Sequence, residues 1–146
     1  MCCYKQTCAP DPSLAYISEF HYKNSGDDVN QFIEIAHCAS IAGYTIHLGT
    51  FLPFSIQYQS FTPYPSWVST TPDANGFFYS VFPYSEIRDG PGYIQLFGRN
   101  FNLVDSLTYE DRTDLDNFSP DVIVFESEST PIDHSLQRIN GKWVGP

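Results

Sequence analysis

Four histidines, two groups of carboxylates and four cysteines are the residues of this chain whose chemistry could build a site. His21, His37, His47 and His134 are dispersed, and the first three fall on strand-like runs that could bring them together as a metal trio. More often such histidines are hydrogen-bonded sheet or surface positions. Asp27 and Asp28 precede Glu34, and Glu110, Asp111, Asp114 and Asp116 form a second acidic group. Calcium takes about six to eight oxygens from loops of this kind. Asp27, Asp28 and Glu34 are therefore the candidate calcium ligands, although neither group has EF-hand spacing. No H-E-x-x-H, no G-x-S-x-G and no Gly-rich phosphate loop leading into a helix is present. Cys38 beside His37 has the composition of a Cys/His nucleophile, but neighbouring strand residues point to opposite faces. No catalytic residue is assigned, and the chain reads as non-enzymatic.

The cysteines stand at positions 2, 3, 8 and 38, with no C-x-x-C pair or matching histidine spacing for zinc. Disulfides formed in an oxidising compartment account for Cys2, Cys3, Cys8 and Cys38 best, which makes the protein extracellular. A bridge between the neighbours Cys2 and Cys3 is strained, so each is expected to reach elsewhere, and Cys38 takes one of them within a chain. If Cys8 takes the other, both bridges are internal. If it does not, one bridge joins two chains.

The net charge of −10 and only seven Lys and Arg, scattered, exclude the usual duplex nucleic-acid binder, which releases phosphate counterions with basic residues. No apolar run reaches the roughly 18 residues of a membrane span. Met1–Lys5 has no apolar h-region, so a leader is expected to have been removed already or to lie outside this stretch.

The elements that must position these groups are strands. Ten Tyr, twelve Phe, eleven Pro and nine Gly favour short pleated segments between frequent breaks. Strands are expected at 14–22, 31–37, 43–50, 77–82, 92–97, 101–109, 121–126 and 135–139, with a short piece at 142–144. Gly98-Arg99-Asn100 reads as a hairpin turn, and no helical period stands out. This spacing predicts a two-sheet β-sandwich over residues 14–146. Ahead of it, residues 1–13 form an extended Cys-rich arm, because each Pro in Ala9-Pro10-Asp11-Pro12 biases its predecessor toward extended geometry. Extended, the arm would reach on the order of 43 Å, far enough to cross a neighbouring subunit.

Residues 51–76 mix Phe, Tyr and Trp with Pro and read as an insertion, a loop packed by its own aromatics. Tyr64 and Trp67 are its candidate contacts to a glycan or a protein. Asn117-Phe118-Ser119 is an N-glycosylation triplet, which makes Asn117 the candidate glycan acceptor.

Several stretches together resemble the lamin-tail-like domain of secreted multidomain proteins. They are Ile17-Ser18-Glu19-Phe20-His21-Tyr22 followed by Asn24, Gly26, Asp28 and Phe32-Ile33-Glu34-Ile35, then Gly43-Tyr44. Gly92–Phe97 with Val104–Glu110 is similar to the family's late hairpin. Ser129-Thr130-Pro131, Ser135–Arg138 and Trp143 are similar to its closing motif. The resemblance implies an immunoglobulin-like β-sandwich used for binding, attachment or assembly. Gln31 and Lys23 stand where the family is often acidic, and neither the Cys-rich arm nor the 51–76 region is a family feature. Together these readings give a structural subunit that self-associates through its N-terminal arm, into a filament if the contact repeats head to tail. One alternative is a secreted adhesion module that binds a glycan or protein through residues 51–76. A second is an accessory domain of an extracellular nuclease or hydrolase. No cofactor is assigned apart from the calcium candidate.

Overall fold

In the computed structural model, the 146-residue chain is described at residues 7–26, 29–52, 55–61, 65, 67–84, 87, 91–110, 122, 124, 126–127, 129–131 and 134–146. Of residues 51, 52 and 55–61 only the backbone is described. Among the described residues ten strands occur: Ala15–His21 (β1), Phe32–His37 (β2), Thr45–Leu52 (β3), Ser55–Phe61 (β4), Trp67–Val68 (β5), Phe78–Pro83 (β6), Gly92–Phe97 (β7), Leu103–Tyr109 (β8), Leu136–Ile139 (β9) and Lys142–Val144 (β10). They form a six-stranded sheet, β10-β9-β1-β2-β6-β5, and a four-stranded sheet, β4-β3-β7-β8. Every strand pair is antiparallel, and the described residues contain no helix. The fold is thus all-β and sandwich-like. Ile17, Phe20, Ile33, Ile35, Phe82 and Leu136 of the larger sheet form one core with Ile46, Leu48, Ile94, Leu96, Leu107 and Tyr109 of the smaller.

The phase of β1 explains how its sequence packs. Strict alternation would put Ile17 on the face opposite Phe20 and Tyr22. Instead Ile17 pairs with Ile35 and Glu19 with Glu34, leaving Ser18 as an extra residue. The bulge returns Phe20 and Tyr22 to the core side. The Ser18 hydroxyl donates to the Glu34 side chain at 2.8 Å and contacts its carbonyl at 3.2 Å. Phe20 and Tyr22 are fully buried, and Phe20 meets Tyr109 and the Trp143 ring of β10. Burying a ring of this size contributes about 1.5–3 kcal/mol.

β9 pairs with β1 only at Glu19 and Phe20. The Ile17 N–H therefore turns to the other sheet and donates to Asp105 Oδ2 of β8 at 2.9 Å. Arg138 of β9 donates to the same oxygen at 3.1 Å, and its guanidinium lies 5.5 Å from the Tyr16 ring centre and 5.8 Å from that of Trp143. A carboxylate, an arginine and two rings thus fasten the two sheets along one side.

Most expected strands occur within one or two residues of their predicted ends, and Gly98–Asn102 closes the β7–β8 hairpin with Gly98 N–H on Asn102 O at 2.9 Å. Two expectations are corrected. The 51–76 region is not simply a loop, because β3 runs on to Leu52 and the region contributes β4 and β5. Of the expected strand 121–126 only Val122, Val124 and Glu126 are among the described residues, and Val122 makes a parallel bridge to Tyr109. The described part of the arm is turned rather than extended. Cys8 N–H donates to Asn75 O at 2.9 Å, and Ser13 closes a turn on Asp11 with its N–H on Oδ1 at 3.0 Å. The short Asp11 side chain competes with the extended backbone that the prolines favour.

The disulfide joins Cys8 to Cys38, with 5.6 Å between their Cα atoms, rather than Cys2 or Cys3 to Cys38. The physical reason is the docking of Cys8 on the Asp73–Phe77 turn, close to the end of β2. Asp73 Oδ1 accepts the Asn75 and Phe77 N–H groups, and the Tyr79 hydroxyl donates to its other oxygen at 2.6 Å. Gly76 holds φ +92° there, and a Cβ on it would stand 3.0 Å from Cys8 Cβ.

Candidate functional site

The densest polar arrangement lies where β1 ends. Val122 N–H donates to Thr108 O at 3.0 Å, which sets the first residue of the segment 122–126 beside β8. Glu126, at the end of that segment, sits beneath the last residues of β1 and is only 2% exposed. Its Oε1 accepts the Tyr22 N–H at 2.6 Å and the Lys23 N–H at 3.3 Å. Its Oε2 lies 2.6 Å from His21 Nδ1. The backbone N–H of Glu126 donates to the Tyr22 hydroxyl at 3.0 Å. On the far side of the imidazole, Nε2 faces Asn24 Oδ1 at 3.2 Å and Val29 O at 3.1 Å. Both ring nitrogens therefore face oxygen atoms of neighbouring groups. Asn24 Oδ1 also accepts the Val29 N–H at 3.0 Å, and Gln31 Nε2 donates to Tyr22 O and Ile87 O, both at 2.7 Å.

Burial raises the Glu126 carboxyl above its ordinary value, and hydrogen bonds from Tyr22, His21 and Lys23 oppose that shift. Burial likewise pushes the Tyr22 phenol well above the usual tyrosine range. Gln31 Oε1 is buried with no partner among the described residues. His21, Tyr22 and Glu126 are 1%, 0% and 2% exposed, so no substrate atom can reach them without opening the fold. The arrangement can do one thing well. It satisfies the backbone of a strand end and holds a remote segment against it, as a closed clasp.

The other predicted site residues are not brought together. His21 pairs with Phe32 and His37 with Ala15, so they lie at opposite ends of the β1–β2 hairpin. His47 belongs to the other sheet, where its ring meets Phe97 at 4.5 Å. His37 Nδ1 lies 2.8 Å from Ala39 O and must carry the proton there, leaving Nε2 to accept from the Ser80 hydroxyl at 2.7 Å. Burial lowers the His37 value, in keeping with this neutral form. Cys38 is consumed in its disulfide and carries no thiolate. Glu34 accepts from Ser18 and is raised by burial, while Asp27 and Asp28, the other two calcium candidates, lie outside the described residues. Among the described residues no group of three or more His, Cys, Asp or Glu could hold a metal ion. Trp67 is 55% exposed on β5; Tyr64, Asn117, Cys2 and Cys3 lie outside the described residues.

Sequence reasoning singled out His21 but missed its partner Glu126, 105 residues away. The available signal was a carboxylate closing the apolar run Val122-Ile123-Val124-Phe125, where solvent exposure is least expected. It missed Asp105 and Arg138 for the same reason of separation. No family model, no curated protein and no solved structure matches the chain.

Proposed function

We propose that the chain is a non-enzymatic extracellular structural or assembly module, an immunoglobulin-like sandwich of lamin-tail-like type that joins neighbouring subunits through its N-terminal residues. One observation carries the reading. The Cys8–Cys38 bridge consumes two of the four cysteines and leaves the neighbours Cys2 and Cys3 with no other cysteine in the 146 residues. Adjacent cysteines bridge each other only under strain, so in an oxidising compartment their partners lie outside these 146 residues, and our reading assigns them to neighbouring subunits. The same bridge narrows the joining segment from the whole arm to the residues ahead of Cys8. The closed His21–Glu126 clasp supports a module built to persist rather than to turn over a substrate. For the lamin-tail-like type, the support is that the opening hairpin lies beside β9, and β9 beside β10, in one sheet.

Non-reducing electrophoresis with electron microscopy tests this. Disulfide-linked multimers are expected, collapsing to monomers in the Cys2→Ser/Cys3→Ser variant. Oxidised protein that runs only as a monomer, with two titratable thiols per chain, would reject the reading.

A second reading is favoured by Trp67 and Val68, which are 55% and 43% exposed on the short strand β5. It makes the chain a secreted adhesion module that recognises a glycan or protein beside this patch. Screening glycans and extracellular proteins against the wild type and Trp67→Ala decides it, and equal binding by both would count against the patch.

A further inference from the structure

Each sheet of this sandwich has two edges, and three of the four are protected. β5 is two residues long, and β10 is three residues long and carries Lys142. β8 carries Asp105, which accepts the Ile17 N–H, and its last residue is bridged by Val122. These are the devices by which sheets avoid joining other chains: shortness, charge and cover. Among the described residues β4 has none of them. It is seven residues long, Ser-Ile-Gln-Tyr-Gln-Ser-Phe, without a charge or a proline. β3 pairs with it along its whole length on one side, and among the described residues nothing pairs with the other.

We infer that this open edge takes the β4 of a second copy of the chain, antiparallel, about a two-fold axis through Tyr58. The inference rests on the assembly reading above and adds a second contact that does not use the arm. The sequence of β4 argues for its own copy as occupant. In that register Gln57 opposes Gln59, Ser55 opposes Phe61, and Tyr58 opposes Tyr58. A primary amide carries donor and acceptor together and is its own complement, whereas a charged residue in the same place would repel its copy. An isologous contact of this kind closes at two subunits. It joins two four-stranded sheets into one of eight and supplies roughly one inter-strand hydrogen bond per residue. The chain carries a net charge of −10, so two copies repel one another except where the contact itself is uncharged. Salt should therefore tighten this dimer rather than weaken it.

The test is analytical ultracentrifugation of the full chain carrying Cys2→Ser and Cys3→Ser, in which arm disulfides cannot form. A concentration-dependent dimer is expected, with a Kd that falls as salt is raised. Gln57→Lys with Gln59→Lys should raise that Kd at least tenfold. Gln57→Glu with Gln59→Lys, which places opposite charges across the two-fold, should restore it. A monomer at every concentration overturns the inference, as does a Lys/Lys variant that dimerises like its parent. Should the Lys/Lys variant fail to fold, the Glu/Lys variant decides, because a well-folded monomer there also overturns it. Loss of this dimer leaves the disulfide-linked multimers of the arm untouched, so the two readings fail separately.

Discussion

At the scale of single residues, the molecule relies on a few groups that satisfy backbone far from themselves in sequence. Glu126 is the clearest, since one carboxylate meets two backbone N–H groups and an imidazole. Glu126→Ala would take away the partner of buried His21 Nδ1 and that of the Tyr22 N–H at the end of β1. A loss of about 3–5 kcal/mol is expected, read from urea unfolding. Glu126→Gln keeps the shape and some of the bonds and should cost less. His37 makes a prediction about pH. Burial lowers it from the ordinary 6.5, so the folded state binds this proton more weakly than the unfolded chain. Its contribution is complete above that value and drains away as pH falls below it. Glu34 and Glu126 are raised by burial and act with the opposite sign. The difference in stability between wild type and His37→Gln removes their effect. That difference should move against the wild type between about pH 7 and pH 5, and a flat difference would show that His37 is not held neutral.

At the scale of elements, close approach between strands matters as much as apolar pattern. A Cβ on Gly92 would stand 2.8 Å from the Gly49 carbonyl and 2.6 Å from the Tyr109 hydroxyl. The first is backbone and cannot swing aside. Gly92→Ala should cost about 1–3 kcal/mol through forced displacement of β3 against β7, measurable as a lowered melting temperature. Much at this scale was legible in the sequence. Gly92–Phe97 alternates cleanly and is bounded by glycines, and it folds as read. The bulge in β1 is written in the spacing of Ile17 and Phe20, three apart where alternation needs two or four, although reading it requires knowing which side faces the core. β4 was hidden because its run of Ser, Gln and Tyr has little apolar contrast and stands between Pro53 and Pro63. The clasp and the Asp105–Arg138 fastening were not legible at all. They join residues 105 and 33 positions apart, and no local propensity encodes such a contact.

At the scale of the whole molecule, the Cys8–Cys38 bridge closes a loop spanning a sequence separation of 30. The loop contains β1, all of β2 and the polar turn between them. Constraining such a loop in the unfolded chain contributes about 3–4 kcal/mol, so Cys38→Ser should lower stability by roughly that amount in denaturant titration. A fall well under 1 kcal/mol would mean that the turn at Asp73 holds the arm unaided. The bridge also sets where tension would enter the molecule. A pull on the first residues would otherwise arrive at Ala15 and unzip β1 from the sheet one pair at a time. Through the bridge it arrives instead at the end of β2, a strand flanked by β1 on one side and β6 on the other. Stretched between tethers, the oxidised protein should therefore yield in one abrupt rupture and the reduced protein in gradual steps at lower force. If such chains are strung together by their first residues, each link would be gripped from the middle of a sheet rather than from its fraying end.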